Sequence, residues 1–493
     1  MNNACKVKLR LKIFSFSFLA TFLVFFFLGI ASSFDDASVN RVLRVSVNGG
    51  EGYGSIQEAI NNASSGDTIL VGPGVYYENI VVNKSVLIVG ENRLNTIVDG
   101  GNKWMAVVVA VSGAVLRNLT IRHGIVGVVL NKHIDGVQVV DNDIVFNSYD
   151  GVYGDRSGSN VIANNNISFN GWRGVFLYAC APSVVENNFV SYNLIDGIVV
   201  RYSNNTVVQG NEVYGNSYNG IVLRSDEDPK RPSGLSKNNV VRLNRVLNNT
   251  CGIKVWHLGE DTSFARNEIY GNYIAYNTVG LNLSGSWGNF FYHNNFVANF
   301  EQLWVSNSYG NSWDGGYPFG GNYWSNYDGV DADANGIGDV PYTIDANNVD
   351  RYPLIAPITV FDAGTWNGES YNVNIVSNST VSDFYFKPEE GPFVKFTVSG
   401  MDGTKGFSRV AIPRKLLWAE NGWKVMVDNN SVDPIITEDE DYTFFYFTYE
   451  QSIKTIEIIG THVIPEFPLF SFLLLFVLSL SIAVALAKNV HRK

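Results

Sequence analysis

Two aspartates and an arginine stand at equal spacing in the middle of the chain. Asp150, Arg173 and Asp196 are 23 residues apart, and each directly precedes a glycine. In a chain that repeats with this period, the three side chains would stack in a column with the carboxylates about 10 Å apart. This separation is marginally compatible with an inverting glycosidase. We therefore take the three residues as candidate catalytic groups; in the simpler alternative, the arginine only relieves repulsion between stacked aspartates.

Aromatic and basic residues recur around the same glycines. Some come two residues before a glycine, and others come two or four residues after it, where Tyr153 and Phe176 are expected to face outward. Flat rings beside polar groups form a surface on which sugar rings can lie. The candidate carbohydrate-binding residues are Tyr149, Tyr153, Trp172, Phe176, Tyr178, Arg201, Tyr218, Arg224 and Trp256. The alternative is that these rings stack on one another and bind nothing.

A possible metal site lies further along the chain. Asp331, Asp333, Asn335 and Asp339 place oxygen ligands around Gly336, a pattern that resembles the calcium loops of dockerin-like and thrombospondin-type repeats. An EF-hand would need a glutamate at its twelfth position, where this chain has Tyr342. The pattern predicts Ca²⁺, and the alternative is an Asp/Asn turn without an ion. Copper is not supported, because six histidines and four methionines form no His-x-His or Met-rich cluster.

A repeat of asparagines dictates the element that must position these groups. One asparagine recurs in steps of 23 or 24 residues and later of 33, 28 and 22, and a second follows it by five residues, with a glycine three or four residues beyond. Self-similarity at such a period indicates a solenoid. The first set contains Asn118, Asn142, Asn165, Asn188, Asn211, Asn244, Asn272 and Asn294, and Asn95 lies one step before it. His123 holds the second position in the Asn118 copy.

The content of each repeat indicates which solenoid forms. Each copy has two short runs with alternating apolar positions and nothing in the rhythm of a helix. Leucine-rich repeats share the period but require leucine at most inward positions, whereas Val, Ile and Gly dominate here. In a parallel β-helix, asparagines of successive coils lie about 4.8 Å apart and can bond to one another and to unpaired turn backbone. We therefore predict an all-β, right-handed parallel β-helix in which the asparagines are structural.

Three stretches carry a resemblance to a known family. The coils, the opening that surrounds a short cap helix over 56–63, and the closing segment Gly-Gly-Asn-Tyr-Trp-Ser-Asn-Tyr-Asp-Gly from Gly320 resemble the NosD-like, carbohydrate-binding and sugar-hydrolase group of β-helix proteins. The resemblance covers about residues 45–357. It implies sugar binding, or a lyase or hydrolase activity, since lyases on this fold also set a basic residue beside acidic ones. A further implied role is a periplasmic accessory factor for metalloenzyme maturation.

Both ends of the chain have the composition of targeting segments. Residues 1–33 combine four basic residues, an apolar stretch and Ala-Ser-Ser, which predicts a secretory signal; an uncleaved anchor is the alternative. Residues 469–487 form a second apolar run, followed by the basic tail 488–493, which predicts a transmembrane helix with a cytoplasmic tail. The preceding Pro-Glu-Phe at 465–467 resembles the sorting signals of archaeal surface proteins, although an ordinary stop-transfer helix fits equally well.

Between the repeats and this anchor, residues 358–461 change character. The repeat ends, and runs such as Trp423 to Val427 and Tyr442 to Tyr449 alternate at strand period, which predicts a small β-sandwich. The net charge of −11 argues against a nucleic acid partner. Together these features predict an exported, membrane-anchored envelope protein whose β-helix binds a polysaccharide or surface glycan.

Overall fold

The computed structural model describes residues 40–50, 52–225, 236–257 and 265–464. The elements below lie in one compact unit that begins at Val42. The predicted signal at 1–33, the predicted transmembrane helix at 469–487 and the tail at 488–493 lie outside the described residues. Within those residues, no helix combines the length and the apolar character that a membrane span requires.

A parallel β-solenoid occupies the chain from Val42 to Trp324. Successive coils add short strands to three parallel sheets of 11, 11 and 10 strands, which we call sheets 1, 2 and 3 in the order in which the chain meets them. Alternate side chains of each strand point inward, and the buried Val, Ile and Leu residues form one continuous core along the axis. The all-β solenoid predicted from the repeat is confirmed.

Each sheet draws one strand from each coil. Sheet 1 contains Val42–Val45, Thr68–Val71, Leu87–Gly90, Val115–Arg117, Gln138–Val140, Asn160–Ala163, Ser183–Glu186, Val207–Gln209, Val240–Arg242, Glu268–Tyr270 and Phe290–Tyr292. Sheet 2 contains Gly74–Tyr76, Thr96–Asp99, Thr120–Arg122, Asp143–Val145, Asn166–Ser168, Phe189–Ser191, Glu212–Tyr214, Arg245–Leu247, Tyr273–Ala275, Asn295–Val297 and Tyr323–Trp324. Sheet 3 contains Ile80–Val82, Val107–Val109, Val128–Leu130, Val152–Asp155, Val175–Tyr178, Ile198–Arg201, Asn219–Arg224, Cys251–Trp256, Val279–Ser284 and Glu301–Ser306.

Two ladders of buried asparagines connect the coils at the ends of sheet 2. At Asn165, Oδ1 accepts the backbone N–H of Asn142 at 2.9 Å and its side-chain amide at 3.2 Å, while Nδ2 donates to the Val139 carbonyl at 2.8 Å. Each amide thus satisfies backbone groups that the turn leaves out of the sheets. The first ladder contains Asn142, Asn165, Asn188, Asn211, Asn244, Asn272, Asn294 and Asn322, and the second contains Asn147, Asn170, Asn193, Asn216, Asn249, Asn277 and Asn299.

The predicted register is wrong by one residue in the first copy. Leu119, not Asn118, donates its N–H to Asn142, and Gly124, not His123, donates to Asn147. Asn118 and His123 instead have φ of 56° and 52°, in the left-handed region, like the residues that directly precede the ladder asparagines in the next coil. The ladders therefore begin at Asn142 and Asn147, because the equivalent residues of the coil before, Leu119 and Gly124, have no side-chain amide.

A short helix covers the first coil. It runs over Ile56–Asn62, one residue shorter than predicted, and packs Ile56, Ala59 and Ile60 onto the start of the core. The Ser55 hydroxyl accepts the N–H of Glu58 at 3.0 Å, and the Glu78 carboxylate accepts two further N–H groups of the first turn at 2.9 Å each. These bonds satisfy donors that a helix start leaves unpaired.

Aromatic rings close the other end of the solenoid. Trp324 is fully buried between Phe296, at 4.3 Å between ring centroids, and Tyr342, at 4.5 Å. Tyr342–Asp345 and Asn348–Asp350 form a hairpin, and buried Asp350 ends the first ladder by accepting the N–H of Asn322 at 2.8 Å. The closing segment therefore caps both the apolar core and the asparagine ladder.

A β-sandwich follows the solenoid, as predicted. Its first sheet contains Ile358–Trp366, Glu369–Ser377, Lys405–Pro413, Tyr442–Glu450 and Ile435–Glu438, and its second contains Thr380–Tyr385, Phe393–Ser399, Lys454–Ile459, Lys424–Val427 and Asn430–Val432. Leu417–Trp418 pairs with His462–Val463, and a 3-10 turn spans Pro388–Glu390. Asn295 of the solenoid exchanges two hydrogen bonds with the backbone of Ile358, at 2.7 and 2.8 Å, so the first sandwich strand starts on the last coils.

Candidate functional site

The predicted charged column exists, and its carboxylates bind to the next coil. Asp150 accepts Nε of Arg173 at 2.7 Å, Nη2 at 3.0 Å and the backbone N–H at 3.3 Å. Asp196 accepts the side-chain amide of Asn219 at 2.6 Å and its N–H at 3.2 Å. Arg173 lies between the two aspartates in the column, as predicted, but it pairs with Asp150, while Asp196 reaches forward to Asn219.

Burial decides what this column can do. Desolvation raises the pKa of Asp150, and the charge of Asp196 adds to that rise, whereas the hydrogen bonds and charge of Arg173 oppose it. Both aspartates are buried, and their oxygens hold neighbouring coils together. These contacts favour the structural alternative, and the catalytic role of Asp150, Arg173 and Asp196 stays a prediction.

Sheet 3 carries the second group of predicted residues on its outer surface. Tyr153 and Phe176 are neighbours in register and stack at 5.5 Å, with Val199 and Val222 continuing the row. Phe176 points outward as predicted but is only 7% exposed, because the Arg173 guanidinium lies 3.6 Å from its ring centroid and Val199 packs beside it. It offers no free ring face, which corrects its assignment to an accessible sugar platform.

The adjacent row on sheet 3 carries two arginines between two aromatic rings. Tyr178, Arg201, Arg224 and Trp256 are successive register partners. The Arg201 guanidinium lies 5.6 Å from the Tyr178 ring and that of Arg224 lies 4.7 Å from the Trp256 ring, distances at which a cation is attracted to a ring face. All four side chains are half-buried, so this row is largely occupied by contacts among its own members.

The exposed predicted rings lie on the turn between sheets 2 and 3. Tyr149, Trp172 and Tyr218 are 41–57% exposed. They form one column with Ile195, in which each residue donates its backbone N–H to the carbonyl of the residue one coil earlier, at 3.0, 2.7 and 2.8 Å. Tyr149 and Trp172 are 5.3 Å apart and tilted by 40°, so their faces do not fully cover each other. In these coils the glycine follows the ladder asparagine by four residues. In the later coils it follows by three residues, and the column is absent there.

A second aromatic column, absent from the predicted set, borders the same turn. Phe146, Phe169 and Tyr192 are exposed and stack at 5.4 and 5.3 Å with planes 12° and 10° apart. Each has a φ near 55° and directly precedes an asparagine of the second ladder. Gly215 takes this place in the next coil, and the Tyr192 ring lies over it. A Cβ atom at position 215 would come within 3.0 Å of that ring. The recurrence of a ring before the ladder asparagine is the sequence signal that could have revealed the column.

We call these two columns together the aromatic edge. It comprises Phe146, Tyr149, Phe169, Trp172, Tyr192 and Tyr218. Between the columns, the chain carries Ser148, Gly171, Leu194 and Ser217, whose backbone N–H groups bond to the preceding coil. At the N-terminal end of the edge, buried Asp99 accepts Arg122 Nε and faces His123 Nδ1, both at 2.9 Å. Burial raises the pKa of Asp99, but these bonds outweigh it and hold that pKa below its usual value.

The predicted calcium loop is closed by its own backbone. Asp331 accepts the N–H groups of Asn335 and Gly336, each at 2.9 Å, and Asp339 accepts that of Ala332 at 2.7 Å. The Asn335 amide donates to Asp333 at 2.7 Å. In the described ranges, no three acidic, histidine or cysteine side chains are grouped so as to hold a metal ion. Calcium binding by Asp331, Asp333, Asn335 and Asp339 stays a prediction.

Comparison with known proteins supports the fold. The family described as right handed beta helix region matches residues 105–269, while no curated protein matches the chain. Among solved structures, a mannuronan C-5 epimerase A-module from Azotobacter vinelandii is 17% identical with a TM-score of 0.39, over 51% of this chain and 74% of that one. An alginate lyase from Paenibacillus sp. is 16% identical with a TM-score of 0.35, over 57% and 97%. The family match, together with the parallel coils, identifies the solenoid as a right-handed parallel β-helix.

Proposed function

We propose that this protein binds a polysaccharide along the aromatic edge and is exported and held at a membrane by residues 469–487. The observation that carries the binding proposal is the exposure of Tyr149, Trp172 and Tyr218 in one column. Soluble proteins seldom leave contiguous aromatic surface in water unless it has a partner. We base the proposal on these side chains because the rows on sheet 3 are filled by their own contacts.

The chemistry of the edge suits a sugar chain. One face of a pyranose ring presents C–H groups that pack on an aromatic face, while its hydroxyls need hydrogen-bonding partners. The Tyr149 and Tyr218 hydroxyls and the Ser148 and Ser217 side chains supply such partners beside the rings. Coils repeat at about 4.8 Å, so a chain lying along the axis meets equivalent positions again and again. A repeating ligand therefore fits a repeating surface.

Within the edge, we assign the larger share of binding to the Tyr149 column. The rings of Phe146, Phe169 and Tyr192 form a parallel stack, so each ring is partly covered by a neighbour. The Tyr149 and Trp172 rings are tilted relative to each other. Tyr218 has no ring beside it in the adjacent coil of this column, where Ile195 stands, and the next ring, Trp172, is two coils away. The rings of the Tyr149 column are therefore less covered by one another, while the two columns are similarly exposed to solvent.

A glycan array tests the binding proposal. The purified full chain should bind at least one polysaccharide, and Trp172→Ala should weaken that binding about tenfold, since loss of one well-packed aromatic contact costs about 1–2 kcal/mol. Tyr77→Ala, at an exposed ring near the cap helix, is the matched control and should bind like the unmodified chain. Equal binding by the Trp172→Ala and Tyr77→Ala variants would place the ligand elsewhere.

Cell fractionation tests the proposed membrane attachment. The apolar run at 469–487 is long enough to span a bilayer, and the basic tail follows it. The full chain should stay in the membrane fraction after an alkaline carbonate wash. A variant that ends at Ile464 should appear in the soluble fraction once residues 1–33 are cleaved. Retention of this variant in the membrane with residues 1–33 cleaved would contradict an anchor at 469–487.

A further inference from the structure

A buried arginine lies where the closing segment meets the sandwich. Arg409, on the strand Lys405–Pro413, is only 4% exposed. Its Nη2 donates to the Pro318 carbonyl, and its guanidinium lies 4.6 Å from the Phe444 ring. A guanidinium has five N–H donors, and in the described part of the chain only the bond to Pro318 engages them.

The acidic residues nearest to Arg409 are used elsewhere. Asp331 and Asp439 act on it only through longer-range attraction. The Asp331 oxygens accept backbone N–H groups of their own loop, and those of Asp439 accept the N–H groups of Asp441 and Tyr442 at 2.8 and 2.7 Å. Arg409 is therefore a buried cation without a paired carboxylate among the described residues, which is a costly arrangement for a protein.

A small cavity adjoins this guanidinium. Its volume is about 10 Å³. Besides Arg409, its lining comprises the polar side chains of Tyr317, Asn335, Thr437 and Tyr446 and the apolar residues Pro318, Ile337, Ile435 and Phe444. This volume accommodates about one water-sized guest. Three of the lining side chains carry hydroxyl groups, which can donate hydrogen bonds to a negative guest.

We infer that this cavity is a binding site for one small monovalent anion, with chloride, which is slightly larger than a water molecule, as the candidate guest. The anion supplies the negative charge that Arg409 lacks and accepts its unused N–H donors. Because Tyr317 and Asn335 belong to the closing segment while Arg409, Thr437 and Tyr446 belong to the sandwich, the bound anion stabilises the contact between the two. Burial lowers the pKa of Arg409 to about 10, so the guanidinium remains charged at neutral pH.

Thermal unfolding in two sodium salts tests this site. We expect the Tm of the full chain to be at least about 2 °C higher in sodium chloride than in sodium gluconate at equal ionic strength, because an anion that binds only the folded chain stabilises it. Gluconate is too large for the cavity. Arg409→Gln should lose this difference, whereas Arg414→Gln, at a half-exposed arginine just beyond the same strand, should keep it. An equal chloride effect in Arg409→Gln, or none in the unmodified chain, would overturn the proposal.

Crystals of the unmodified chain grown in sodium bromide provide a test that does not depend on the folding of a variant. An anomalous peak beside the Arg409 guanidinium would support the anion site. Density for water alone at that position would overturn it.

Discussion

At the scale of the residue, the sequence predicted which side chains stand in a column but not what they bind. The 23-residue spacing placed Asp150, Arg173 and Asp196 in register. It could not show that Asp150 turns toward Arg173 and Asp196 toward Asn219, because that choice depends on side-chain rotamers and on the width of the turn. For the same reason, the spacing identified Phe176 as outward-facing without revealing the guanidinium that covers it.

Substitution of Asp150 tests the structural role of the column. Asp150→Asn leaves the Arg173 guanidinium, which is mostly buried, without its anionic partner. We expect the free energy of unfolding to fall by about 2 kcal/mol or more, as measured by urea denaturation. The matched control is Asp155→Asn, which breaks the exposed Asp155–Arg156 pair and should cost less than about 1 kcal/mol. Equal losses in the two variants would contradict a special role for Asp150 between coils.

At the scale of the element, the asparagine ladders were predictable and their termini were not. An amide that recurs at one turn of a parallel solenoid can satisfy the backbone groups that the sheets leave unpaired. The later copies follow the predicted register. The first copy does not, because Asn118 occupies the left-handed turn position one residue before the ladder. The far end of the first ladder could not be predicted from the repeat either, since Asp350 is not part of the repeat and reaches Asn322 from a separate hairpin.

The carboxylate that ends the ladder makes stability depend on pH. Burial raises the pKa of Asp350 from 3.8 to about 7, although hydrogen bonds from Asn322, Trp324 and Tyr352 oppose the shift. Because the folded chain holds this proton more tightly, the resulting stability is fully present below pH 3.8 and is lost as the pH rises through about 7. Buried His293 acts in the opposite sense, since burial lowers its pKa from 6.5 to about 4.

Asp350→Asn separates these two effects. In the unmodified chain, acidification from pH 6.5 to pH 4 gains stability through Asp350 and loses it through His293. In the variant only the loss remains, so we expect its free energy of unfolding to fall more steeply with acid, by up to about 1.4 kcal/mol per pH unit relative to the unmodified chain. Urea denaturation at several pH values measures this difference. Parallel pH profiles for the two proteins would contradict the raised pKa of Asp350.

At the scale of the whole molecule, the repeat predicted the solenoid, and strand-period alternation predicted the sandwich. Their contact could not be predicted, because it has no period. Asn295 binds the backbone of Ile358, and Phe319 packs against Tyr442 at 5.3 Å, pairs that lie 63 and 123 residues apart. The aromatic edge was half predicted, since the predicted binding residues include Tyr149, Trp172 and Tyr218 but not Phe146, Phe169 and Tyr192.

The central claim is that the open rings of the aromatic edge bind a polysaccharide. Its most direct test is a calorimetric titration of the polysaccharide selected on the array into the full chain and into a Tyr149→Ala, Trp172→Ala, Tyr218→Ala triple variant. All three side chains are exposed, so the Tm should change little. We predict that the Kd rises at least about a hundredfold in the triple variant. An unchanged Kd in a variant with an unchanged Tm would contradict the claim.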